Sequence, residues 1–364
     1  MTTFKQIFTY VPFLAAALAF ASIVLPSRLG TRGRAVWAIA LLFAASRGLV
    51  AEALGGDLFT PNFPEPVTWV WYLASSSLFV LLALRLFWWT PHGRLTVMPA
   101  IAVALTAWGM WEGLRPPQVK EMEIAIDGLP TSLDGYRIVQ ISDLHCSNMA
   151  RGWRTRAVVD AANATKADLV CLTGDYVDGN VADLDQDMKP LLRLSAKDGV
   201  WCVAGNHEYY QDAPRWRDWY RQNGFRFLSN ENVRIRPGLT LAGVNDPMGA
   251  YFRQDVSPNV ERAFDGCATN DFRILLSHHP SAFRENVRRH GVGLQLSGHT
   301  HGGIALGLSA LVAKLNGGYV RGLYREGNGV LYVSPGAGLW AGFPIRFFNP
   351  PEITLIVLKR SVEQ

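Results

Sequence analysis

Five times in the later part of this chain, a short apolar run stops at a cluster of Asp, Asn and His. Tyr136–Ser142 stops at Asp143-Leu144-His145. Asp168–Thr173 stops at Gly174-Asp175, and Gly199–Ala204 at Gly205-Asn206-His207-Glu208. Phe272–Ser277 stops at His278-His279, and Gly293–Ser297 at Gly298-His299-Thr300-His301. Runs of this length and composition read as buried strands. Between them, Trp153–Thr165, Asp183–Ser195, Pro214–Asn223 and Ser281–Arg289 carry helical spacing, and Leu239–Val244, Val330–Ser334 and Glu352–Leu358 read as further strands. Alternating strand and helix predicts an α/β layered fold, whose strand ends converge on one edge where ligands bind. The chain has 8 histidines, and all but His92 and His290 lie in those clusters.

The residue types point to metal. In an extended segment Asp143 and His145 point to one side, as do His299 and His301, because alternation has period two. Asp175 follows a glycine and offers a carboxylate able to bridge two cations. Asn206 offers an amide oxygen, and His278 an imidazole. This mixed oxygen and nitrogen set suits Mn, Fe or Zn rather than Ca or Mg. Asp143, His145, Asp175, Asn206, His278, His299 and His301 are too many ligands for one tetrahedral site and fit two divalent cations sharing a bridge. Two metals about 3.5–4 Å apart activate a shared water and clamp both ends of an in-line displacement, which is the hydrolysis of a phosphate ester. His207 follows a ligand position and is the expected catalytic group, protonating the leaving oxygen or stabilising developing charge.

Other polar residues read more plainly. Asp178, Asp183, Asp185 and Asp187 lack calcium-loop spacing and read as a solvated helix start. Arg151, Arg154 and Arg156 fit either a phosphate contact or a solvated helix start. Glu208 reads as a support for the fold or for the groups around the ligands. Asn163-Ala164-Thr165 matches a glycosylation acceptor by a short pattern only. Cys146, Cys171, Cys202 and Cys267 form no metal-binding spacing and read as free thiols.

The first 115 residues differ in kind, being strongly apolar. Ile7–Pro26, Ala35–Leu54, Val67–Trp89 and Leu95–Trp111 are four candidate spans, with Trp69, Trp71, Trp88, Trp89, Trp108 and Trp111 placed as an interfacial belt. Arg28, Arg32, Arg34 and Arg94 fall in alternate loops, while the middle loop holds Asp57 and Glu65. The positive-inside rule then places the catalytic part outside the cytoplasm. Pro116-Pro117 ends the helical region and opens a linker. The expected division is a transmembrane helical region, 1–115, and a catalytic domain, 116–364. The 364 residues suffice for both units. The net charge of +5 includes no Lys/Arg run, so no nucleic-acid partner is expected.

The five clusters, in this order and spacing, resemble the motifs of the calcineurin-like metallophosphoesterases. The flanks Leu133–Asp143 and Pro350–Leu355 are similar to its YkuE/YaeI-like membrane-associated branch, over roughly residues 120–360. The resemblance implies a layered β-sandwich flanked by helices, here preceded by about four transmembrane helices. It implies one metal on Asp143, His145, Asp175 and His301, a second on Asp175, Asn206, His278 and His299, and His207 as the catalytic histidine. His279 is not a ligand in that pattern. Ile304 stands where the branch often has Gln, and Ser334–Gly338 replaces its Ser-Arg-Gly run; both bear on substrate rather than metal.

Three functions compete. The leading one is a membrane-anchored phosphoesterase acting on phosphomonoesters, phosphodiesters or pyrophosphates. A catalytically silent membrane-tethered sensor would have lost a ligand, and none is lost. A transporter is disfavoured by few intramembrane charges and no paired repeats. Ile304–Leu315, with Leu339-Trp340, Phe343 and Phe347-Phe348, is either core or an apolar lip. A lip would favour lipid-linked substrates.

Overall fold

The computed structural model describes residues 2–54, 64–87, 97–303 and 308–361. They form two compact units. One comprises Met1–Gly113 with Ser147–Met149 and Trp340–Arg346; the other comprises Leu114–Cys146, Ala150–Leu339 and Phe347–Gln364.

The first unit is helical. Pro66–Phe87 and Val97–Leu114, 22 and 18 residues, are long and apolar enough to cross a bilayer. Thr31–Ala45 and Arg47–Ala53 form a third candidate, bent by 59° at Ser46. Thr9–Val24 is apolar but shorter. The four expected spans are therefore two full-length helices, one bent pair and one short helix. Trp88, Trp89, Asp57 and Arg94 lie outside the described residues. The bend leaves the Phe43 carbonyl free of the regular ladder, and Ser46 N, Ser46 Oγ and Trp71 Nε1 donate to it at 3.2, 2.9 and 2.7 Å. In an apolar surrounding such repair is obligatory. The Trp71 ring also stacks on Phe43, with centroids 4.9 Å apart.

Among the described residues the second unit holds twelve strands: β1 (Gln118–Ile126), β2 (Arg137–Ile141), β3 (Leu169–Leu172), β4 (Val200–Cys202), β5 (Arg226–Phe227), β6 (Glu231–Arg236), β7 (Leu239–Gly243), β8 (Phe272–Leu276), β9 (Leu294–Ser297), β10 (Gly322–Glu326), β11 (Gly329–Val333) and β12 (Glu352–Arg360). They make two six-stranded sheets, ordered β1-β12-β2-β3-β4-β5 and β10-β11-β9-β8-β7-β6. Strands β2 to β5 run parallel, as do β7, β8, β9 and β11.

Between the sheets lies a core containing Ile138, Leu169, Cys171, Leu241, Ile274, Leu296 and Ile356. The opposite face of the first sheet buries Val139, Ile141, Val170 and Leu172 under helices. Gly152–Ala164 contributes Val158, Val159 and Ala162, and Ala213–Gln222 contributes Trp216, Trp219 and Tyr220. Burial on both faces is why these strands read as unbroken apolar runs. Each such aliphatic side chain adds about 1.5–3 kcal/mol over leaving it exposed.

The linker expected after Pro116-Pro117 is instead strand β1 from Gln118. Its Lys120, Glu121 and Glu123 mark it as a sheet edge, as the charges of β6 and β10 mark those strands. Edge strands lack the two-sided apolar signal by which the others were recognised.

Candidate metal centre

The clusters sit just beyond the C-terminal ends of β2, β3 and β4 in one sheet and of β8 and β9 in the other. The backbone there is not extended. Asp143, His145, Asp175, His299 and His301 all have left-handed backbones, with φ of 51°, 46°, 56°, 72° and 48°. This corrects the period-two argument: sharp left-handed kinks, rather than strand alternation, aim these side chains. Non-glycine residues adopt that region at a cost of order 1–3 kcal/mol, and such kinks concentrate at functional sites. Two glycines make room: a Cβ on Gly205 would collide with the Asp175 carboxylate, and one on Gly298 with that of Asp143.

Three overlapping groups result: Asp143, His145 and His301; His145, Asp175 and His207; and Asp175, His278 and His299. Within each, the ligand atoms lie within 4.8 Å of one another. His145 Nε2 lies 3.0 Å from His301 Nε2 and 3.9 Å from Asp175 Oδ2. His301 Nε2 lies 3.5 Å from Asp143 Oδ1. Asn206 Oδ1 is 2.8 Å from His299 Nδ1. All seven expected ligands and His207 thus come together.

The histidines are set for a cation. His278 Nδ1 faces the Thr173 carbonyl at 2.7 Å, and a carbonyl only accepts, so that nitrogen carries the proton. Its Nε2 is buried and turned to the shared carboxylate, 3.0 Å from Asp175 Oδ2. His145 Nδ1 lies 3.1 Å from Asp178 Oδ1, which turns its Nε2 toward His301. A carboxylate or carbonyl behind the ring is the usual support of a metal-bound imidazole.

The electrostatics agree. Burial alone would lower the His278 pKa, but Asp175 raises it to about 10. Burial alone would raise Asp175, yet His278, His207 and His145 hold it well below the carboxylate range. This pair draws positive charge into the space between its side chains. His299 goes the other way, lowered by burial and by His279 and His278. For His207, Asp175 and Asp178 overcome burial and raise the pKa to about 9.

A family model for calcineurin-like phosphoesterases matches residues 136–303. An uncharacterized metallophosphoesterase of Aquifex aeolicus is 33% identical over 243 residues, covering 66% of this chain and 92% of its own length. The Bacillus subtilis metallophosphoesterase YkuE is 33% identical over 276 residues, 71% of this chain and 93% of its own. This chain belongs to the calcineurin-like phosphoesterases. A zebrafish transmembrane protein with metallophosphoesterase domain is 34% identical over 279 residues, 74% of this chain and 63% of its own length. The chain likewise spans 66% of a Helicobacter pylori relative.

In this calcineurin-like phosphoesterase two polar residues, Asp178 and Arg154, depart from the sequence reading. Asp178 is no solvated helix start. It is fully buried, with Oδ1 3.1 Å from His145 Nδ1 and 2.5 Å from His207 Nδ1. Its only sequence signal is its place three residues after Asp175. Arg154 is neither solvated nor at the centre; it is fully buried, with Nη1 donating to the Arg115 and Ala337 carbonyls at 2.8 and 3.3 Å. His279 stacks on His299 with centroids 3.7 Å apart, and its Nε2 lies 3.2 Å from buried Asp246. Glu208 accepts from the backbone N–H of Gly205, Asp175 and Tyr176 at 2.7, 3.0 and 2.8 Å, tying two ligand loops together. All four cysteines are free.

Proposed function

We propose that this chain is a multi-pass, membrane-anchored dinuclear phosphoesterase, cleaving phosphomonoester, phosphodiester or pyrophosphate bonds of lipid-linked substrates. The observation carrying the dinuclear reading is that Asp175 belongs both to the group with His145 and to the group with His278 and His299. Asp143, His145, Asp175 and His301 would hold one divalent cation; Asp175, Asn206, His278 and His299 would hold the other. Mn, Fe or Zn suits this donor set. When bound, the pair supplies an activated water and neutralises charge at phosphorus.

The chain's own residues do the rest. Asp178 holds His145 and His207 from behind. His207 Nε2 lies 4.0 Å from Asp175 Oδ2, on the side facing the ligands, so a proton carried there is positioned for the leaving oxygen. His207 N donates to Asp175 Oδ1 at 2.8 Å, fixing the histidine's position relative to the shared carboxylate.

The lipid preference rests on the helix Ser309–Leu315, which follows the His301 turn and has no buried residue. Leu308, Leu311 and Leu315 are 43%, 55% and 72% exposed, and Phe348 is 69% exposed. Residues 304–307 lie outside the described residues, whereas Leu339 is core. The exposed part is an apolar surface on which an acyl chain could lie while its phosphate reaches the ligands.

Elemental analysis of the purified full-length protein is expected to find about two first-row ions per chain, and Asp175→Ala to lose both. One ion, or unchanged content in the variant, contradicts the dinuclear reading. Changing Leu308 and Leu311 to Ser is expected to lower liposome binding and lipid hydrolysis while sparing a small soluble ester. Equal loss of both activities contradicts the lipid reading.

A further inference from the structure

A second buried polar feature lies in the helical unit, apart from the metal centre. Arg47 begins the helix Arg47–Ala53, directly after the bend at Ser46, and is only 7% exposed. Its guanidinium carbon lies 4.1 Å from the ring centroid of fully buried Tyr72. Nη1 makes one long hydrogen bond, 3.4 Å, to the Ala341 carbonyl, in a segment belonging to the same unit. Among the described residues no carboxylate pairs with it. Glu52, on the same helix, is exposed and accepts from Thr9 Oγ1 at 3.2 Å.

The surroundings are built to keep Arg47 inside. Ser46 and Trp71 satisfy the carbonyl freed by the bend. Gly48 lets another helix approach, since a Cβ there would stand 3.1 Å from both Cα and Oγ1 of Thr9. A guanidinium is charged at every physiological pH and presents five N–H donors, of which one carbonyl satisfies one. A buried cation lacking a counter-charge inside an apolar helical unit is costly, and such residues mark ligand sites. The missing partner is an anion.

We propose that Arg47 is the recognition group of an oxyanion site in the helical unit, and that its ligand is the phosphate of a lipid headgroup. The planar guanidinium fork matches phosphate geometry. The same helices expose Val36, Ile39, Leu42 and Val70 by 54–68%. That apolar exterior suits an anion delivered on acyl chains. The site needs neither metal nor hydrolysis, so it stands apart from the proposed reaction.

The test uses full-length protein in detergent with EDTA present, so that the metal centre cannot hold the probe. Phosphatidate and diacylglycerol of the same acyl chains are compared by native mass spectrometry and thermal unfolding. Phosphatidate is expected to be retained and to raise the wild-type Tm, and diacylglycerol to do neither. Arg47→Gln is expected to weaken phosphatidate retention by about tenfold, and Arg47→Lys by less, because an ammonium keeps the charge but not the fork. Equal retention by wild type and Arg47→Gln overturns the site. So does an unchanged wild-type Tm, a readout that needs no variant to fold. Displacement of the lipid by millimolar inorganic phosphate, with the same Tm rise from phosphate alone, overturns the lipid assignment.

Discussion

At the residue scale, Asp178 carries the sharpest expectation. It sits behind both His145 and His207, with Oδ1 against Nδ1 of each ring. Asp178→Asn should therefore preserve the fold but lower turnover and metal affinity by roughly 10–100-fold, as losses of carboxylates behind metal-bound histidines do. Full activity with full metal content would show that the two rings need no support. His207→Ala should differ in kind, keeping metal while losing roughly 10²–10⁴-fold on poor leaving groups. The loss should shrink for a nitrophenyl ester, whose leaving group needs no proton. An equal loss on both substrates would argue against the acid role. Far from the centre, Asp271 accepts from Arg234 Nε and Nη2, Thr240 Oγ1 and Gly238 N at 2.8, 2.9, 2.8 and 3.1 Å. These bonds, those of Arg234 first, hold its carboxyl below the usual range. The stability they confer is present above the unfolded value near ~3.9 and is lost as pH falls through the folded value. Asp271→Asn should thus be less stable than wild type at pH 7, with the gap closing in acid; a gap constant to pH 3 would mean that the charge contributes nothing.

At the scale of elements, the centre depends on how strands stop. The parallel strands end where left-handed kinks at Asp143, Asp175 and His299 turn the chain inward. The neighbouring loop must then come against the carboxylate, which is why glycine stands at 205 and 298. Gly205→Ala forces a methyl into the Asp175 carboxylate. It is expected to abolish metal binding by elemental analysis while leaving both sheets intact by circular dichroism. Normal metal content in that variant would mean that the Asn206 loop can move aside freely. The bend at Ser46 follows the same logic in the helical unit, where side chains from two helices complete what the broken ladder leaves open.

At the scale of the whole molecule, two short stretches of catalytic-region sequence, Ser147–Met149 and Trp340–Arg346, belong to the helical unit. There Met149 and Ala341 share a buried apolar cluster with Tyr72 and Met110. A protein starting near residue 117 would expose those residues, and its Tm is expected to fall below that of the full chain in detergent. Equal values would mean that the cluster adds nothing to the catalytic region. The distribution of Arg28, Arg32, Arg34 and Arg94 predicts that a reporter fused after Gln364 is active only outside the cytoplasm. A cytoplasmic readout would reverse the orientation without touching the chemistry.

The amino-acid sequence alone made the candidate ligands legible, because competent ligand types recur at the ends of strands that announce themselves by two-sided burial. Val139 and Ile138 face opposite cores, so β2 reads as one apolar run whatever surrounds it. The apolar helices were legible for the same reason, since composition and length set the capacity to span. Edge strands such as β1 were not, because their charged outer residues look like linker. Nor was Asp178 legible, since a buried carboxylate and a solvated one are the same letter. Only the fold brings His145 and His207, distant in sequence, onto one oxygen of Asp178. Arg47 is the parallel case. Its burial against Tyr72 and Ala341 is decided by a helix bend and by a loop 294 residues away, and no local pattern encodes a contact of that separation.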